Sequence, residues 1–142
     1  CDQIDSPDLN ASCHLYRDER MIKLIFCLRR RPGMTAEAFQ KYWRGTHAAL
    51  VKARAGVLGI RRYVQAHTAD MPGLHRALQA RNGGAPAPYD GVAELWFDSF
   101  DTLGGDDPAK QQAAAELLAD EEKFIDLPNS PMWFTQEHVV VE

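Results

Sequence analysis

The chain has 142 residues, 45% hydrophobic and 25% charged, with a formal charge of -4. That length holds one domain with a real core and is short for two, and the composition is that of a globular protein and not of a disordered one. Nucleic acid is an unfavoured partner, because the longest basic run, Arg29-Arg30-Arg31, sits directly before Pro32-Gly33 and reads as a solvated turn.

No apolar stretch approaches the ~20 residues that cross a bilayer, and no charged-then-apolar leader is visible, so a cytoplasmic protein without a membrane partner is expected. Residues 1–20 are polar and acidic without sustained periodicity and read as an N-terminal extension to a domain over 21–142. Cys1, Cys13 and Cys27 have neither CxxC nor paired ligand spacing, which predicts no disulfide framework and no metal site, with Cys27 packing as a small apolar group.

Met21 opens Ile-Lys-Leu-Ile-Phe-Cys-Leu, whose β-branched and aromatic content predicts a first strand, ended by Pro32-Gly33. Thr35 is a candidate N-cap for a helix running to about Arg54, with Gly56 and Gly59 stopping it. At roughly 100° per residue from Phe39, Leu50 falls near 20°, Trp43 near 40° and His47 near 80°, while Glu37, Lys41, Arg44 and Lys52 gather on the far side. His47 therefore lies at the border of the buried stripe. Such a ring titrates near neutral pH while partly shielded, which suits a proton-transfer group. It equally suits a structural histidine satisfied by a backbone carbonyl.

From Gly59 onward, alternation places Arg61, Tyr63, Gln65 and His67 on one face of a second strand and Ile60, Arg62, Val64 and Ala66 on the other. A long connection, with room for a helical turn around His75 to Ala80, leads through Asn82-Gly-Gly-Ala-Pro-Ala-Pro to a third strand, Val92 to Asp98. A short helical start at Phe100 to Leu103 breaks at Gly104-Gly105. A longer helix follows from about Pro108 to Ile125, its stripe containing Ala113, Leu117, Leu118 and Phe124. Pro128 and Pro131 turn the chain into Met132-Trp-Phe-Thr-Gln-Glu-His-Val-Val-Val, a fourth strand by its β-branched and aromatic density.

The order β-α-β-β-α-β predicts an α+β, ferredoxin-like sandwich with a four-stranded antiparallel sheet and both helices on one face. The first strand is apolar on both faces, which a half-solvated sheet does not need. A second copy covering the free face, giving a homodimer, is the simplest remedy.

The segments Lys23-Leu-Ile-Phe, Arg31-Pro-Gly-Met-Thr, Phe39 with Tyr42-Trp43 and His47, Arg61-Arg-Tyr-Val-Gln-Ala-His67, Tyr89-Asp-Gly-Val-Ala-Glu-Leu-Trp-Phe and Glu137-His-Val-Val together resemble the EthD-domain family of dimeric α+β barrels. The likeness spans Lys23 to Val141. It departs from the family pattern at Ala66, where Asn is frequent. What the resemblance implies is a cofactor-free acid/base pocket between helix and sheet, with His47 at its wall. The relatives include polyketide-pathway decarboxylases, cyclases and lactone isomerases, a protein of ether degradation whose chemistry is obscure, and barrels that bind haem.

On that basis His47 is the candidate general base or acid, with His67 as second proton carrier or orienting partner and Tyr63 as donor to a developing oxyanion. Trp43, Phe26 and Trp96 are candidate walls for a small aromatic, polyketide-like or lactone ligand, or else plain core. His138 is expected to be structural or dimer-facing, and His75 a solvated loop residue. An accessory module that only holds a pathway intermediate fits the same residues.

Overall fold

The computed structural model describes residues 21–142, so the expected extension over 1–20, with Cys1 and Cys13, lies outside the described residues. Four strands form one antiparallel sheet in the order β2-β3-β1-β4, with β1 Ile22–Leu28, β2 Arg62–His67, β3 Gly91–Phe97 and β4 Met132–Thr135. The central pair runs from Ile22 opposite Phe97 to Leu28 opposite Gly91. This is the ferredoxin-like α+β sandwich.

The first helix begins where Thr35 caps it, accepting from the Ala38 amide at 3.1 Å, and continues as α1 (Ala36–Tyr42), a wide π turn (Trp43–His47) and α2 (Ala48–Leu58). In the wide turn the Ala48 amide reaches back five residues to the Trp43 carbonyl. Gly56 does not stop the helix. Gly59 does, at φ 74°, a left-handed C-cap that a side chain would strain.

The connection between β2 and β3 holds a complete helix, α3 (Pro72–Arg81), so His75 belongs to a helix and not to a loop. A 3-10 turn at Phe100–Thr102 precedes α4 (Pro108–Glu121), which starts with Asp107 accepting from the Ala109 amide. The expected strand after Pro131 is only four residues long; His138 lies beyond it and is exposed.

The register assigns the two faces. Leu24, Phe26, Ala93, Leu95, Tyr63 and Gln65 turn toward the helices, and Lys23, Ile25, Glu94, Trp96, Val64 and Trp133 turn away. The core lies between the helix-facing side and the helices: Phe26, Leu28, Phe39, Trp43, Phe124 and Ile125 are all buried in one cluster. Cys27 is buried and free. Gly91 is required where the Trp43 indole lies against β3, since a Cβ there would overlap the ring and come within 2.9 Å of the Ala66 carbonyl. No helix among the described residues is long and apolar enough to cross a membrane.

Candidate active site

The wide turn decides where His47 points. In a regular helix a four-residue spacing drifts by about 40° per step, which is what carries His47 to the edge of the stripe. The extra residue of the π turn removes that drift, so Phe39, Trp43, His47 and Val51 all fall on one buried line, while Leu50 is only half-buried. His47 is 5% exposed and packs against Phe124 with ring centroids 5.0 Å apart.

A buried imidazole needs partners for its N–H, and α4 supplies one. Nδ1 of His47 donates to Oδ2 of Asp120 at 2.8 Å, and the Tyr42 hydroxyl donates to the other carboxylate oxygen at 2.5 Å. Asp120 is itself 6% exposed. Burial pushes its carboxyl up, but the hydrogen bonds from Tyr42 and His47, the His47 charge and Lys123 outweigh this and hold it below the ordinary carboxylate range. The same contact, with burial, drives the Tyr42 phenol up to about 12. Burial pulls the His47 imidazole below its usual value against the opposing pull of Asp120. The result is a neutral ring whose Nδ1–H is fixed on a carboxylate, leaving Nε2 with a free lone pair and no hydrogen-bond partner among the described residues.

His47 lines a cavity of about 450 Å³ between sheet and helices. Its walls are mostly aliphatic and aromatic, with Leu24, Phe26, Leu95 and Phe97 from the sheet and Trp43 and Val51 from the helix. Tyr63 and Glu121 are polar groups of this lining, and Lys110 and Gln111 come from the first turn of α4. Tyr63 is oriented by a chain of side chains. The His67 ring, stacked at 4.4 Å on Trp43, places Nε2 2.8 Å from Oε1 of Gln65, and the Gln65 amide nitrogen donates to the Trp43 carbonyl at 2.9 Å and to the Tyr63 oxygen at 2.8 Å. Because the Tyr63 oxygen accepts there, its own proton is available to the cavity. Among the described residues, no three metal-ligating side chains come together.

The family model for the EthD domain matches residues 31–128. The chain belongs to the EthD domain family. Among solved structures, an EthD-like protein from Ralstonia eutropha JMP134 is 23% identical with a TM-score of 0.50, the alignment covering 87% of this chain and 96% of that one. A dimeric ferredoxin-like protein of unknown function from Bacteroides fragilis NCTC 9343 is 14% identical, also with a TM-score of 0.50, over 82% and 96% of the two chains. At these identities the likeness concerns the fold. No curated protein matches the chain.

Against this EthD frame, the sequence-predicted site residues divide. His47, Tyr63, Trp43 and Phe26 line one cavity. His67 faces the helices as its strand-mates do, but the Trp43 indole lies over it and it does not line the cavity; it reaches Tyr63 only through Gln65. Trp96 cannot wall the cavity, because it pairs with Lys23 and so projects from the opposite sheet face, where Lys23 and Arg62 lie over its ring at 4.9 and 4.7 Å.

Asp120 and Glu121 were not among the expected residues. The sequence carries their signal: Ala113, Leu117, Asp120, Glu121 and Phe124 fall at i, i+4, i+7, i+8 and i+11, the stripe of a half-buried helix, and two acids in it mark a site. Leu118, taken there as part of the stripe, is 50% exposed.

Proposed function

We propose that this EthD protein is an acid/base enzyme acting on a small, largely apolar substrate of aromatic, polyketide-like or lactone type. The observation that carries the reading is the pairing of His47 with Asp120 at the wall of an apolar cavity: the carboxylate fixes the tautomer and favours the imidazolium that proton abstraction creates, and the low-dielectric surroundings keep the resting ring neutral. Tyr63, its oxygen already accepting from Gln65, serves as donor to a substrate oxygen that gains charge. His67 acts at one remove, by orienting Gln65. Trp43 and Phe26 shape the wall.

The working unit is a homodimer through the outer sheet face. Ile25, Val64 and Val92 there are only half-buried, Trp133 is 47% exposed, and the Bacteroides protein of the same fold is dimeric.

The test is product formation from a panel of acidic phenols, β-keto acids and lactones by the protein and by His47→Asn. Turnover that falls by about 100-fold or more in the variant supports the assignment. Turnover unchanged in the variant overturns it, and binding without turnover of any panel member assigns the cavity to an accessory ligand carrier.

A further inference from the structure

Besides His47 and Tyr63, an acid with no task so far lines the cavity. Glu121 lines it from the last turn of α4, one position after Asp120. A one-residue step turns a helix by about 100°, so the two neighbouring acids serve different neighbours. Asp120 is held by Tyr42, His47 and Lys123, whereas the Glu121 carboxyl has no hydrogen bond or ion pair among the described residues. A carboxylate left among Leu, Phe and Trp without a cation is costly, and the inexpensive form is the neutral acid, which is a hydrogen-bond donor. Burial, reinforced by the charge of Asp120, raises this carboxyl to about 7. The other titratable groups facing it are His47 from the wide turn, Tyr63 from β2 and Lys110 at the rim, whose Nζ is engaged by the Thr102 carbonyl at 3.0 Å. Tyr63 and Glu121 are near enough to influence each other, since the Glu121 charge is one of the causes that raise the Tyr63 phenol, after burial.

We infer that Glu121 and Tyr63 form a paired-donor site for the oxygen of a carbon acid, the carboxylic acid O–H and the phenolic O–H both donating to one carbonyl oxygen while His47 removes the proton from the adjacent carbon. The inference rests on His47 acting as base and names the chemistry it serves: enolate formation from a ketone, ester or lactone with an acidic α-hydrogen. In the step, Nε2 takes the proton, the C–H electron pair becomes the C=C bond, and the carbonyl π pair moves onto the oxygen facing the two donors. Where the substrate carries a β,γ-double bond the enolate is a dienolate: return of the proton from His47 to its γ-carbon, with the oxygen pair re-forming the C=O and the double bond settling between the α- and β-carbons, closes the reaction as an isomerisation with no other reactant consumed. A neutral carboxyl beside a phenol in an apolar site suits this task because neither donor carries a counter-charge that must reorganise.

Phenolates present the same oxyanion and have no carbon proton to lose, so their binding reports the donors independently of the base. The probe is a series of ring-substituted phenols, from phenol to 4-nitrophenol, titrated into the full chain, with ultraviolet absorbance separating bound phenol from bound phenolate. Affinity per phenolate is expected to fall about tenfold from pH 6 to pH 8, as a group titrating at about 7 loses its proton. Glu121→Gln, whose amide still donates, is expected to bind at both pH values as the native protein does at pH 6. Glu121→Leu and Tyr63→Phe each bind about tenfold more weakly. Protonation of His47 acts in the same direction with pH, so Glu121→Gln is the arbiter. A pH dependence that persists in it, a Glu121→Leu protein that binds as tightly as the native one, or no phenolate binding to the native chain overturns the paired-donor site. Unchanged turnover in His47→Asn overturns the base and leaves the donors standing.

Discussion

Nδ1 of His47 and Oδ2 of Asp120 stand 2.8 Å apart although 73 residues separate them in sequence, and both side chains are buried. The contact ties the wide turn of the first helix to the last turn of α4, so one interaction sets the tautomer of the His47 ring and locks two elements of the fold. Its energetics follow from burial: each partner satisfies a polar group that the other would otherwise leave without water.

Replacing Asp120 by Ala therefore strands both the His47 N–H and the Tyr42 hydroxyl, and is expected to cost about 3 kcal/mol, read by urea unfolding. Asp120→Asn keeps one acceptor and costs less. It also removes the charge that opposes the burial-driven fall of the His47 value, so the imidazole in this variant holds its neutral form to still lower pH. Nitrogen-15 NMR of the ring reads both effects, and a His47 titration unmoved by Asp120→Asn contradicts the coupling.

Gly91 faces the Trp43 indole with no room for a methyl group, and β3 cannot retreat because it pairs with both β1 and β2. Gly91→Ala is expected to destabilise by about 2 kcal/mol or more and to displace Trp43 from its stack on His67. Since Gln65 holds both the Trp43 carbonyl and the Tyr63 oxygen, the displacement passes to the cavity. Loss of thermal stability, with a changed tryptophan emission spectrum, is the readout.

Strand alternation and helix periodicity are local, and they were enough to place β1, β2, β3 and both long helices, together with the stripe containing Phe39 and Trp43. They could not show the π turn, because a uniform 100° per residue contains no term for an inserted residue, and His47 therefore read as a border residue when it is a buried one. The face of β2 that carries Tyr63 and His67 was likewise open until strand pairing fixed it. Trp96 and Phe26 looked alike as aromatics on strands; only register separates them by a sheet thickness. Asp120 and Glu121 escape a stripe drawn by hydrophobicity, since acids on a helix are ordinarily solvated, while the same criterion admits Leu118, which is 50% exposed.

Glu121 also sets a pH dependence of stability. Its folded value, about 7, lies above the ordinary 4.5, so the folded state holds a proton that the unfolded chain releases. The contribution is fully present below pH 4.5 and is lost as pH rises toward and past 7, by up to about 3 kcal/mol. His47 runs the other way: with its folded value lowered, its contribution is present above its ordinary 6.5 and is lost as pH falls below it. Glu121→Gln removes the first dependence only. It is expected to unfold at a higher temperature than the native protein at pH 8 and to lose that advantage near pH 4. An advantage of equal size at both pH values contradicts a raised Glu121 in the folded chain.

The outer sheet face offers the last test. One row across it runs Val64, Glu94, Ile25, Trp133, while in the next row Lys23 and Arg62 flank Trp96, and Glu94 balances Lys23 at 3.2 Å. The central charges of this face, Lys23 and Glu94, are already paired with each other among Ile25, Val64 and the two tryptophans, so the face loses little on meeting a copy of itself and gains the burial of its tryptophans. Trp133→Glu puts an unpaired carboxylate into that contact and is expected to weaken association by about 100-fold, shifting the molar mass measured by light scattering from two chains to one at micromolar concentration. The cavity lies on the other side of the sheet, so the monomeric variant is expected to retain phenolate binding. A native protein that already runs as one chain, or a variant that stays paired, rejects the sheet face as the dimer contact.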